Sequence, residues 1–119
     1  MNKILAIDDQ EDNLVVYEAI LSNYFPDFKL LKARSGKEGI EKALEELPDV
    51  ILLDIIMPEM DGYETCRNIK SIEEIRHIPI VLITAVKTDS SSRIKGLDIG
   101  ADSFLAKPID PGEFPAQVK

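Results

Sequence analysis

The chain has 119 residues, 45% hydrophobic and 30% charged, an ordinary globular composition that fits one domain and excludes two domains or a disordered chain. Its 14 Lys and Arg against 22 Asp and Glu give a formal charge of -8, a surface that repels a phosphate backbone and so argues against direct nucleic-acid binding. A single cysteine, Cys66, cannot pair within the chain, and neither a signal-peptide pattern nor an apolar run of membrane length is present, so a cytoplasmic location without a membrane partner is expected.

Ile4-Leu5-Ala6-Ile7 opens the chain as a continuous apolar run too short for a helix. Leu14, Tyr17, Leu21 and Tyr24 then recur at helical spacing and predict a first helix. Phe28 to Ala33 predicts a second strand whose interspersed lysines suit a sheet edge. A capping box at Ser35 and Glu38 leads into a second helix carrying Ile40, Ala43, Leu44 and Leu47 on its apolar side. Val50-Ile51-Leu52-Leu53 is a third strand ending at Asp54, and Met60 to Ile69 is a third helix that Asp61 can cap. Ile80 to Ile83 gives a fourth strand, Thr88 to Gly100 a fourth helix with Ile94, Leu97 and Ala101 on one side, and Ser103 to Ala106 a short fifth strand.

Continuous rather than alternating apolar runs mark strands covered on both faces, and the β-then-α alternation predicts a doubly wound α/β domain: five parallel strands with helices on both faces. After Asp110 nine residues remain, and Pro115 lacks the amide that a helix starting at Pro111 would need there. The fifth helix is therefore expected to be short, broken or truncated, with residues 1–119 forming the N-terminal part of a longer protein.

In open parallel sheets ligands bind where the carboxyl ends of the strands emerge. The residues at those ends are Asp8-Asp9, Asp54, Thr84-Ala85 and Lys107-Pro108, so three acids, a hydroxyl and an ammonium share one edge. Two like charges about 4 Å apart repel by roughly 4 kcal/mol at an effective dielectric of 20, which calls for a cation. Oxygen ligands without a cysteine or histidine cluster suit Mg²⁺. With the acids screened, Asp54 can attack phosphorus as a carboxylate nucleophile while Lys107 and Thr84 hold the phosphoryl oxygens, giving an acyl phosphate.

The residues Asp8-Asp9, Leu53-Asp54-Ile55-Ile56-Met57-Pro58 with Met60-Asp61-Gly62, Thr84-Ala85, Gly100-Ala101-Asp102 and Lys107-Pro108 occur in this order. In this pattern the chain resembles the receiver domain of bacterial two-component response regulators, up to about Pro108. The resemblance implies a flavodoxin-like sheet of order 2-1-3-4-5, with Asp54 as phosphoacceptor. It implies Mg²⁺ held by Asp9, Asp54 and the backbone carbonyl of Ile56, with Asp8 acting mainly through a metal-bound water. Thr84 and Lys107, with the amides of Ile56 and Ala85, would grip the phosphoryl group, and Phe104 would turn with Thr84 as the switch. The family often has tyrosine at that place, so Phe104 keeps the ring without the hydroxyl. Implied partners are a sensor histidine kinase or phosphotransfer protein as donor and an output domain or protein as target. The domain would promote its own phosphorylation and dephosphorylation rather than act as an enzyme on another substrate.

Structural readings stand beside these. Asp8 and Asp9 can cap the first helix as Asp61 caps the third, Thr84 alone is an ordinary strand-end threonine, and Phe104 an ordinary strand aromatic. Cys66 falls on the packed side of the third helix, His77 in a surface loop, and Met57-Pro58 shapes the loop after Asp54. A haloacid-dehalogenase-like phosphatase also uses a strand-end aspartate and Mg²⁺, but it places a second aspartate where this chain has Ile56. A phosphate-independent adaptor of the same fold is the third alternative.

Overall fold

In the computed structural model, residues 2–24, 27–84 and 100–106 are described. The strands are β1 (Asn2–Ile7), β2 (Phe28–Ala33), β3 (Val50–Asp54), β4 (Ile80–Thr84) and β5 (Ser103–Ala106); the helices are α1 (Glu11–Tyr24), α2 (Gly36–Glu46) and α3 (Gly62–Ser71). The sheet runs β2-β1-β3-β4-β5 with every neighbouring pair parallel. Both the doubly wound fold and the strand order agree with the sequence reading. The fourth helix expected over 88–100 and the chain after Ala106 lie outside the described residues, apart from Gly100, which is in a turn rather than a helix.

Alternation along buried strands sorts side chains onto two faces. Ile7, Ala33, Ile51, Leu53 and Leu82 pack with Ala43 of α2 and Cys66 and Ile69 of α3. Ile4, Ala6, Leu52, Val81 and Ile83 pack with Leu14, Tyr17 and Leu21 of α1 on the other face. Every residue of β3 is buried, including Asp54 at its end, which is why that strand reads as an unbroken apolar run.

The capping residues named from the sequence start α2 and α3. Ser35 accepts the Glu38 amide at 3.1 Å, while the Glu38 carboxylate reaches back to the Arg34 amide at 2.6 Å, one residue further out than in a strict capping box. Asp61 accepts the Glu64 amide at 2.8 Å, so α3 starts at Gly62, two residues later than expected.

The apolar face of α2 differs from the prediction: Ala43 is buried, but Leu44 is 42% and Leu47 56% exposed. Gly39 lies so close to the Ile7 side chain that a Cβ there would collide with it. The helix thus meets the sheet along small residues, Gly39 and Ala43, with Gly36 set against Thr65 of α3 and Met60, leaving Leu44 off that face; Leu47 lies beyond the last turn as a left-handed cap with φ 51°.

The loop from β3 to α3 folds back on the end of β3. Gly62 donates its amide to the Ile55 carbonyl at 2.8 Å, and a Cβ on Gly62 would collide with the Asp54 carbonyl oxygen and the Ile55 Cα. Within the same loop Glu59 has φ 65°, a left-handed conformation that costs a residue with a Cβ roughly 1–2 kcal/mol. Glycine offsets part of that gain through its greater unfolded-state entropy. Glu59→Gly is therefore expected to raise stability by about 0.5–1 kcal/mol, whereas Gly62→Ala is expected to lower it by about 1–3 kcal/mol through overpacking. Urea unfolding midpoints of the two variants against the parent check the opposite signs.

Candidate functional site

Register builds the site. Ile7 of β1 pairs with Leu53 of β3, so the residues that follow, Asp8 and Asp54, emerge side by side at the carboxyl edge of the sheet. Asp9 follows in the connection to α1. One carboxylate oxygen from each of Asp8, Asp9 and Asp54 lies within 4.8 Å of the other two, and among the described residues no other group of three potential metal ligands meets this way. Asp8 is fully buried, Asp54 is 4% exposed, and Asp9 is half-buried. At that separation each pair repels by about 3.5 kcal/mol at an effective dielectric of ~20.

Hydrogen bonds fix Asp8 on both oxygens. Its Oδ1 accepts the Gln10 amide at 2.9 Å, and its Oδ2 accepts the Tyr17 hydroxyl at 2.8 Å and the Asn13 side-chain amide at 3.2 Å. The Asp8 amide donates to the Ala33 carbonyl at 3.0 Å, tying this strand end to β2. Asp9 accepts from the Gln10 side chain at 3.4 Å, and its carbonyl accepts the Arg34 guanidinium at 3.2 Å.

The capping alternative is partly right. Asp8 makes an Asx turn with the Gln10 amide, while the Asn13 and Leu14 amides of the first helical turn bond to the Gln10 carbonyl at 3.1 and 3.4 Å. Capping accounts for neither the burial of Asp54 nor the convergence of three acids.

The other predicted residues divide by position. Ile55 is anchored by its amide to the Ile83 carbonyl at 3.0 Å; Ile56 turns out to solvent at 57% exposure, and Met57 is buried. Thr84 ends β4 one residue beyond Ile83, the register partner of Asp54, and pairs with Ala106 of β5. Phe104 pairs with Leu82 within the sheet. Ala85 and Lys107 lie outside the described residues. His77 is exposed and Cys66 buried, as predicted.

Sequence reading missed Tyr17 and Asn13 as neighbours of the site, taking Tyr17 as one more apolar member of the α1 stripe. The available signal was the phenol itself, because a tyrosine at a core position needs a partner for its hydroxyl. Burial, followed by the charges of Asp8 and Asp54, holds the Tyr17 phenol far above its ordinary pKa, so it remains a protonated donor.

An all-oxygen set of three carboxylates without histidine or cysteine fits a hard divalent cation that keeps several waters, as Mg²⁺ does. Fold and site together define a doubly wound α/β domain with an acidic cation site at the carboxyl edge of its sheet. The chain belongs to the response regulator receiver domain family, whose model matches residues 4–119, and is thus a receiver domain of two-component phosphorelay. Receiver domains bind Mg²⁺ at an acidic site, take phosphoryl groups from histidine kinases and act on output domains. The phosphatase alternative is not favoured.

The response regulator PleD of Caulobacter vibrioides is 43% identical over 117 residues, covering 98% of this chain and 25% of that protein. The alkaline phosphatase synthesis transcriptional regulatory protein PhoP of Bacillus subtilis is 36% identical over 119 residues, covering 98% and 47%. The chain thus spans between a quarter and about half of these relatives. Among solved structures, the chemotaxis protein CheY4 of Vibrio cholerae matches with a TM-score of 0.87 at 28% identity over 98% of this chain and 94% of that one. The receiver domain of a sensor histidine kinase from Pseudomonas aeruginosa, with magnesium ion coordinated in its active site cleft, matches with a TM-score of 0.86 at 29% identity over 98% and 93%. No helix among the described residues is long and apolar enough to cross a membrane.

Cys66, on the opposite face of the sheet from α1, provides a pH handle on the fold. Burial pushes its thiol from an ordinary 9.0 up to about 11. The unfolded chain therefore loses this proton at lower pH than the folded one, so stability is full below about pH 9 and declines between about pH 9 and 11. Cys66→Ala is expected to flatten that decline, checked by denaturant midpoints measured at pH 8, 9 and 10.

Proposed function

We propose that Asp54 is the phosphoacceptor of this receiver. An Asp54 carboxylate oxygen forms the new bond to phosphorus as the phosphorus–nitrogen bond of a donor phosphohistidine breaks, and the released imidazole takes up a proton. The single observation that carries the reading is the meeting of Asp8, Asp9 and Asp54 at a buried strand end. Asp9, Asp54 and the backbone carbonyl of Ile56 would hold Mg²⁺, with Asp8 acting mainly through a metal-bound water. Bound there, the ion would screen the carboxylates and the incoming phosphoryl charge.

Thr84 and Lys107, with the amides of Ile56 and Ala85, are the residues proposed to bind the phosphoryl oxygens. Strand order supports this: β4 lies beside β3 and β5 beside β4, all parallel, and Lys107 directly follows Ala106, the last residue of β5. The added charge on Asp54 would then draw Thr84 inward, and Phe104 and the fourth-helix face would carry the change to a partner.

The donor is a sensor histidine kinase or phosphotransfer protein, and the target an output domain or separate protein. Because the chain spans only part of its relatives, residues 1–119 are proposed as the N-terminal receiver of a longer protein. Its charge of -8 leaves any contact with DNA to another part or partner. The setting is cytoplasmic, and the domain promotes its own phosphorylation and dephosphorylation without turning over a separate substrate.

Incubation with Mg²⁺ and a small-molecule phosphodonor, followed by intact mass measurement, tests the reading. One added phosphoryl group is expected on the parent, and none on Asp54→Asn or after chelation of Mg²⁺. Equal phosphorylation of Asp54→Asn would remove Asp54 from its role.

A further inference from the structure

The hydroxyl of Tyr17 reaches the acidic site from the hydrophobic core. Its ring is 2% exposed and packs with Leu14 and Leu21 against β1 and β3, while its oxygen donates to Asp8 Oδ2 at 2.8 Å. Tyr17 lies nine positions after Asp8, a span covered by the tight turn at Gln10 and the first turns of α1. Three donors at different points of that span, the Gln10 amide, the Asn13 side chain and Tyr17, clamp one carboxylate. Gln10 and Asn13 belong to the exposed or half-exposed start of the helix, whereas Tyr17 is set in the core. Tyr17 is therefore the rigid member of the clamp.

We infer that Tyr17 is a positioning residue for the cation site: its hydroxyl fixes the rotamer of Asp8 and so pre-organises the carboxylate cluster for Mg²⁺. This rests on the proposed reading of the Asp8, Asp9 and Asp54 cluster as a Mg²⁺ site. Two physical consequences follow from the geometry. A carboxylate bonded on both oxygens cannot swing away from its neighbours to relieve their repulsion, so the cluster keeps its shape before the ion arrives. The donors also spread part of the Asp8 charge, which lowers the cost of holding three acids within 4.8 Å. Partners that orient a ligating group typically contribute about 10–100-fold to metal affinity.

The test is Mg²⁺ titration, by calorimetry and by NMR at the Gln10 amide, of the parent, Tyr17→Phe and Leu21→Val. Phenylalanine keeps the ring and removes the hydroxyl; Leu21→Val loosens the same buried face of α1 without touching Asp8. The expected result is Mg²⁺ affinity at least about tenfold weaker in Tyr17→Phe and unchanged in Leu21→Val. Equal affinity in Tyr17→Phe and the parent overturns the inference while leaving the metal site standing. Equal weakening in both variants also overturns it, since the loss then comes from general loosening. A parent with no saturable Mg²⁺ response overturns the metal-site reading and this inference together.

Should Tyr17→Phe fail to fold, the parent alone decides. Tyr17 ring signals that move with the same Mg²⁺ midpoint as the Gln10 amide support the coupling, and ring signals that stay fixed throughout the titration contradict it.

Discussion

Everything distinctive about this molecule depends on keeping carboxylates at the end of a buried parallel sheet. Asp8 and Asp54 lie on neighbouring central strands at the same level, almost without solvent, and Asp9 joins them from the following turn. Mutual repulsion at this distance is large against the roughly 5–15 kcal/mol by which a domain is stable. The surroundings meet that cost locally. Backbone and side-chain donors from the start of α1 clamp Asp8 and spread part of its charge.

The two faces of the sheet contribute differently. On the α1 side, the core itself ends in a polar group, because Tyr17 carries the packing of an aromatic and the hydrogen bond of a donor. On the α2 and α3 side the contacts are apolar and close, with glycines and Ala43 letting α2 approach the strands. Lys70 ties the far end of this side together, donating to the Arg76 and Ile78 carbonyls at 3.1 and 2.9 Å and approaching Asp102 at 3.5 Å. The edge opposite the acidic site is thereby stapled, while Glu59, in a left-handed conformation, and the tightly fitted Gly62 lie within and at the end of the loop that follows Asp54.

Much of this was legible in the residues. Fully buried strands must be apolar at every position, so β1, β3 and β4 stand out as unbroken runs, and a carboxylate closing such a run is conspicuous. Ser35 and Asp61 announce their helices because a cap is a local interaction between near neighbours. Leu44 and Leu47 misled the reading of α2, since periodicity reports which residues are apolar and not how closely a helix lies on its sheet. Tyr17 escaped for a related reason: its ring satisfied the apolar pattern, and its hydroxyl bond depends on how α1 docks against the end of β1. The convergence of Asp8, Asp9 and Asp54 was readable from strand ends alone, but the clamp around Asp8 required three dimensions.

The claim at the centre is that the Asp8, Asp9 and Asp54 cluster is held under electrostatic tension that a divalent cation relieves. Thermal unfolding of the parent and Asp54→Asn, with and without Mg²⁺, tests it most directly, because a ligand that binds the folded state raises its midpoint. Mg²⁺ is expected to raise the parent's midpoint. Asp54→Asn is expected to start higher than the parent in the absence of the ion and to gain nothing when Mg²⁺ is added. A parent indifferent to Mg²⁺, together with an Asp54→Asn variant that unfolds at lower temperature, would contradict it.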